Sequence, residues 1–231
     1  MTPLFLGPGL ALQPHLHAPT RKTAHTRLHV GGLILLWSGY FGPWVLGGSA
    51  ALTMNAYDLA EWVTFLPGVR DGSLLFGRLH LLGPLALTLL LTGRLAWTLA
   101  GGRRWAGIAI VLLGGLLLLP GYPFILYWRD DVEVQAQLAL FAATWFAIVA
   151  AGALSRLWQP GLRFAAMVAS VAGFAVAAWT LLMARPAVAA LYGAPPPIGW
   201  GWAAMLAGFG IVLAAEIVGY RRARIGMLSS H

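Results

Sequence analysis

Apolar positions fall into runs of about 20 residues, the length a helix needs to cross roughly 30 Å of hydrocarbon. Short clusters of charge, glycine and proline separate them. Six runs are read, at residues 30–48, 74–99, 105–128, 132–154, 164–183 and 198–220. The pattern predicts an all-α fold: a polytopic membrane helix bundle with six transmembrane helices, residues 28–231 forming one membrane domain. Residues 1–27 are expected to be an irregular cytoplasmic tail, because Pro3, Pro8, Pro14 and Pro19 interrupt any helix there. Their charges follow the apolar stretch, whereas a signal peptide places them before it.

One segment between the runs has a different period. In NAYDLAEWVTFLPGVRDG, residues 55–72, the side chains of Leu59, Trp62, Val63 and Leu66 recur at helical spacing, while Asp58 and Glu61 share another face. Asn55 followed three residues later by Asp58 is a variant of the capping box, and Pro67 with Gly68 ends the pattern. The reading is a short interfacial helix in the first outer loop, with an acidic face turned to water or a ligand. Asp58 and Glu61 also complement the positive end of the helix dipole without any ligand. In RDDVEVQ, Asp130 and Glu133 are read as a second capping box, heading the fourth run.

Charge then orients the bundle. Arg21, Lys22, Arg27, Arg94, Arg103, Arg104, Arg156, Arg163, Arg221, Arg222 and Arg224 fall on one side of the six runs. The other side offsets Arg70, Arg129 and Arg185 with Asp58, Glu61, Asp71, Asp130, Asp131 and Glu133. The excess of arginine predicts that both termini are cytoplasmic, with a bacterial-type plasma (inner) membrane as the location. The cytoplasmic loops, GGRR and SRLWQPG, are little more than turns, so recognition is expected on the longer, aromatic outer loops.

Composition agrees with a bilayer: 59% of residues are hydrophobic and 10% charged, against about 25% charged in soluble domains. The net charge of +8 follows the ends of the spans, so the expected partners are anionic headgroups on the cytoplasmic side and other membrane subunits, with no nucleic acid. There is no cysteine, which excludes disulfides and thiolate metal sites. The P-loop, H-E-x-x-H, G-x-S-x-G and C-x-x-C motifs are missing as well.

Inside the spans, prolines free backbone carbonyls four residues back. Pro43 in SGYFGPW releases Gly39, Pro84 releases His80, and LPGYPF carries two prolines around Tyr122. Such irregularity is tolerated where protein or a watery cavity satisfies it, so a cavity opening outward is expected among the first three spans. Its candidate ligand-binding residues are Pro43, Asp58, Glu61, Trp62, Arg78, His80, Tyr122 and Asp130. Arg78 can snorkel to the outer surface. His80 lies deeper, where it could ligate a haem or a pigment magnesium, but no second histidine lies at its depth and no cofactor is expected. His25 and His29 show i, i+4 spacing near the other side. Glu216 is the one carboxylate within a span; it is read as a proton carrier or as an interfacial ion pair with Arg221, Arg222 or Arg94. Ala165, Ala169, Gly173 and Ala177, and again Ala204 and Gly208, stand four apart as packing seams.

Six spans, internal termini and tiny cytoplasmic loops resemble, at the level of fold, the substrate-binding components of some multi-subunit vitamin importers. The expected function is a non-catalytic integral membrane binding or transport module with a small-molecule or lipid site near the extracytoplasmic face. The alternatives are a structural subunit of a larger membrane complex, pigment- or quinone-associated, and an outer-face enzyme using loop carboxylates.

Overall fold

The computed structural model describes residues 21–47, 53–74, 76–121, 124–127 and 130–228. Nine α-helices occur among them: α1 Arg21–Phe41, α2 Ala56–Trp62, α3 Pro67–Arg70, α4 Arg78–Thr98, α5 Gly102–Leu116, α6 Phe124–Tyr127, α7 Val132–Leu154, α8 Gln159–Tyr192 and α9 Trp200–Leu228. No strand forms among the described residues beyond isolated bridges from Val45 to Met54 and to Ile198. Four helices, α4, α7, α8 and α9, are long and apolar enough to cross a membrane. Two expected spans fall short of that. Helix α1 carries Arg21, Lys22 and Arg27 in its first two turns. Helix α5 has 15 residues, about 22 Å at 1.5 Å per residue, because the chain leaves the helix ahead of Pro120.

Helix α1 also starts earlier than the sequence suggests. Residues 21–27, assigned to the irregular tail, are helical. No proline follows Pro19 in this stretch, so nothing stops the helix from growing back to Arg21.

Helix α4 is the centre of the bundle, packing against α5, α7, α8 and α2, with Arg78 at its start paired to Glu61 of α2. The closest pairing is α1 with α9. Glycine decides this: a Cβ on Gly39 would meet the backbone of Met205 and Gly201, and one on Gly208 would meet the Gly32 carbonyl and Leu36. The two backbones therefore touch, as small residues allow in membrane helices. The row read in the fifth span is partly this kind of seam. Gly173 lies under the ring of Phe209, and Ala177 is buried between α8 and α9, whereas Ala165 faces outward.

Backbone carbonyls at kinks and frayed ends are taken up by side chains. Pro43 lies two residues beyond α1 rather than inside it, and the Gly39 carbonyl accepts the indole N–H of Trp44 at 2.9 Å. Pro84 is inside α4, and the His80 carbonyl it frees accepts the Thr180 hydroxyl at 3.3 Å. Beyond α5, the Leu118 carbonyl accepts the buried Gln137 amide of α7 at 3.1 Å. Such pairing is what an apolar surrounding demands, since no water is there to substitute. Exposed apolar side chains, including Ile110, Leu113, Phe146, Val149, Phe164 and Val171, cover the outward faces of α5, α7 and α8.

Candidate functional site

The two ends of the bundle differ in charge. At the end holding α2, the expected helix forms with its capping box: Asn55 Oδ1 accepts the Asp58 N–H at 2.9 Å and Asp58 Oδ2 accepts the Asn55 N–H at 3.3 Å. Leu59, Val63 and Leu66 are buried as the period predicts, and Trp62 is half-buried against the same core. Pro67 does not merely stop the pattern; it opens the next turn, α3, as its first residue.

Glu61 pairs with Arg78 across the gap between α2 and α4. Asp58 stays with its cap. Burial and the nearby Glu61 carboxylate push the Tyr57 phenol above its ordinary value, so it remains neutral there. On the adjacent turn, the Ser73 N–H and hydroxyl hold the Asp71 carboxyl below the usual range.

His80 is exposed, accepts the Gly77 N–H on Nδ1 at 3.2 Å and lies against Trp179 with ring centroids 5.0 Å apart. It caps α4. At the head of α7 the N-cap is Asp131, whose Oδ1 accepts from Glu133 and Val134, and not Asp130, which is exposed in the preceding turn. The expected box does not form: the N-cap falls one residue later, on Asp131, which has the extended backbone that an N-cap needs, and its third residue, Val134, has no side-chain acceptor to return the bond. Pro43 contributes backbone, its carbonyl accepting the Gly201 N–H. Tyr122 lies outside the described residues. The structure therefore joins Glu61 with Arg78 but leaves Asp58, His80 and Asp130 in separate caps and turns. Tyr40 and Trp44 are fully buried, and the Tyr40 hydroxyl donates to the Leu81 carbonyl of α4 at 3.3 Å. Among the described residues no group of three or more histidines and carboxylates could hold a metal.

The opposite end is built differently. Helices α1 and α8 start there and α4 and α9 end there, which brings His25 and His29, Arg163, Arg94 and Glu216 together from four helices. Glu216 is 0% exposed and His29 1%. Carboxylate Oε2 accepts Arg94 Nη2 at 3.0 Å, Oε1 accepts Arg94 Nη1, and His29 Nδ1 donates to Oε1 at 3.0 Å. A carboxylate in so apolar a bundle needs this degree of pairing, because an unpartnered buried charge costs several kcal/mol.

His29, Arg94 and Glu216 form one wall of a cavity of about 480 Å³, with His25, Thr98 and Arg163 on the other sides. A second cavity of about 660 Å³ adjoins it, lined by Arg104, Arg156 and Ser155. Thr98, Gln159 and Arg163 belong to both walls. His25 Nε2, His29 Nε2, Arg94 Nε, Arg104 Nε and Arg163 Nη1 are buried away from solvent and have no hydrogen-bond partner among the described residues.

The chain matches no family model, no curated protein and no solved structure. Function has to be argued from the site itself.

Sequence reasoning anticipated the Arg94–Glu216 pair and missed the third member. The i, i+4 spacing of His25 and His29 was the available signal, and the rings do share a face, 6.4 Å apart. What the sequence lacks is the α1–α9 contact that puts Glu216 beside them. Gly219 was missed too: a Cβ there would overlap Arg163 Nη1 and come within 2.7 Å of His25 Nε2, so glycine is what lets both lie against α9.

Proposed function

We propose that this protein is a non-catalytic binding or transport module integral to a membrane, with its ligand site in the paired cavities at the arginine-rich end of the bundle. One observation carries the reading. The Glu216–Arg94–His29 cluster is buried among apolar helices beside an open cavity that Arg163 also lines, and the adjoining cavity adds Arg104 and Arg156, with no acid but Glu216 in either wall. Ionisable groups inside membrane bundles are costly to hold, which favours a ligand that balances the arginines. In this reading α1 and α5 also cross, giving six crossings, with the termini and the cavities on the cytoplasmic side of a bacterial-type plasma membrane. Anionic lipid headgroups surround that side. The acidic surface of α2 is then a cap over the other end, its carboxylates held by Asn55 and Arg78.

The test uses the shared mouth of the cavities. Gln159 is exposed and lines both, so Gln159→Trp plugs them at little expected cost to folding. Wild type and variant are purified gently from their own membranes, and all retained small molecules and lipids are identified by mass spectrometry. A molecule retained in near-stoichiometric amount by the wild type and lost from the variant is the expected result. Identical retention by the two proteins would remove the cavities from consideration as the ligand site.

A further inference from the structure

We infer that the paired cavities bind a phosphate group, carried by a phospholipid headgroup or present as free phosphate; this rests on the reading of the cavities as the ligand site. The walls hold four arginines, Arg94, Arg104, Arg156 and Arg163, against one carboxylate, Glu216. Glu216 is occupied by Arg94 through both guanidinium ends and by His29. Arg104, Arg156 and Arg163 are left with positive charge that no acid in either wall balances.

The arginines specify the ligand further. Arg156 is exposed and Arg104 and Arg163 are half-buried, and a guanidinium only donates, so what the cavities offer a ligand is N–H groups that call for acceptors. A ligand that suits this set is an anion with several oxygens. Phosphate has that chemistry, and the guanidinium fork matches its geometry.

These arginines also come from different parts of the chain, Arg104 from α5, Arg163 from α8 and Arg156 from the turn between α7 and α8, and all three line the cavity of about 660 Å³. The two oxygens of a carboxylate would leave some of them unmet. Two local features hold the arginines in place. Arg104 stacks over Trp97 at 4.6 Å from the ring centroid, and Gly219 leaves the room that the Arg163 guanidinium occupies.

The experiment uses the full chain in an uncharged maltoside detergent free of phosphate, titrated calorimetrically with sodium phosphate, with dihexanoyl phosphatidic acid and with sodium acetate. Arg163→Gln removes a donor. Gly219→Ala displaces the same side chain without removing it, and serves if the first variant does not fold. Arg221→Gln removes an exposed arginine outside both walls. The expected result is binding of at least one phosphate probe, weakened tenfold or more by Arg163→Gln or Gly219→Ala and changed less than twofold by Arg221→Gln, with acetate inert. Binding of both phosphate probes identifies a site for the free anion, and binding of phosphatidic acid alone identifies a headgroup site. Failure of both probes, acetate binding as tightly as phosphate, or wild-type affinity in the cavity variants would overturn the assignment. If the phosphate probes fail while Gln159→Trp still strips a retained molecule, only the ligand class is wrong; if both experiments fail, the cavity reading falls as well.

Discussion

Glu216 shows how a single residue can be read in sequence and still be half understood. Its place near the end of an apolar run marks it as needing a cation, and Arg94 is the cation it takes through both guanidinium ends. His29, which completes the cluster, lies nearly the whole chain away. Nothing local ties it to α9. The same holds for Glu61, which was legible as an acid on a helix face but whose partner, Arg78, depends on how α2 lies on α4. Removing one member of the buried cluster leaves charge stranded, so Arg94→Leu should destabilise the protein by about 3 kcal/mol. In the double variant Arg94→Leu with Glu216→Leu, the stranded charge is gone and much of that loss should return. Thermal unfolding of the two variants in detergent measures this, and equal losses in both would mean that the pair is not the stabilising unit.

At the scale of elements, four of the six apolar runs and the cap of α2 carried, Pro84 fell inside its helix while Pro43 did not, and packing partners were not legible. The span, cap and apolar face of α2 follow from residues 55–66 alone, since an N-cap and its third residue are local chemistry. Pro84 lies inside α4 as expected, but the Thr180 hydroxyl that meets the freed carbonyl comes from α8. The α1–α9 seam was half visible. Gly208 stands out in a four-residue row, whereas Gly32 and Gly39 on α1 gain meaning only from what lies against them. A matched pair of substitutions tests the seam. Gly39→Ala drives a methyl into the Met205 backbone and should cost about 1–3 kcal/mol by overpacking. Gly31→Ala, with nothing within 4 Å, should be neutral or stabilise by about 0.5 kcal/mol through helix propensity. The midpoint of thermal unfolding should separate the two; coincident midpoints would show that α1 and α9 are not in backbone contact.

For the whole molecule, the alternation of helix directions can be checked directly, because the natural chain has no cysteine to remove. With inserted cysteines, a membrane-impermeant thiol reagent applied to intact cells should label Asp71→Cys and leave Gly101→Cys and Leu157→Cys unlabelled until the membrane is opened. Labelling of all three from outside would refute the six-crossing arrangement. The sequence by itself determined that this is an all-helical protein built from long apolar helices, that their ends are unequal in charge, and where caps and kinks fall. Those properties depend on composition and on neighbours within a turn or two. Only the tertiary structure decided where these two cavities lie, at the arginine-rich end. Cavities are made by the mismatch of surfaces from helices distant in sequence, here α1, α4, α8 and α9, and a pattern along one chain does not encode how four such surfaces meet.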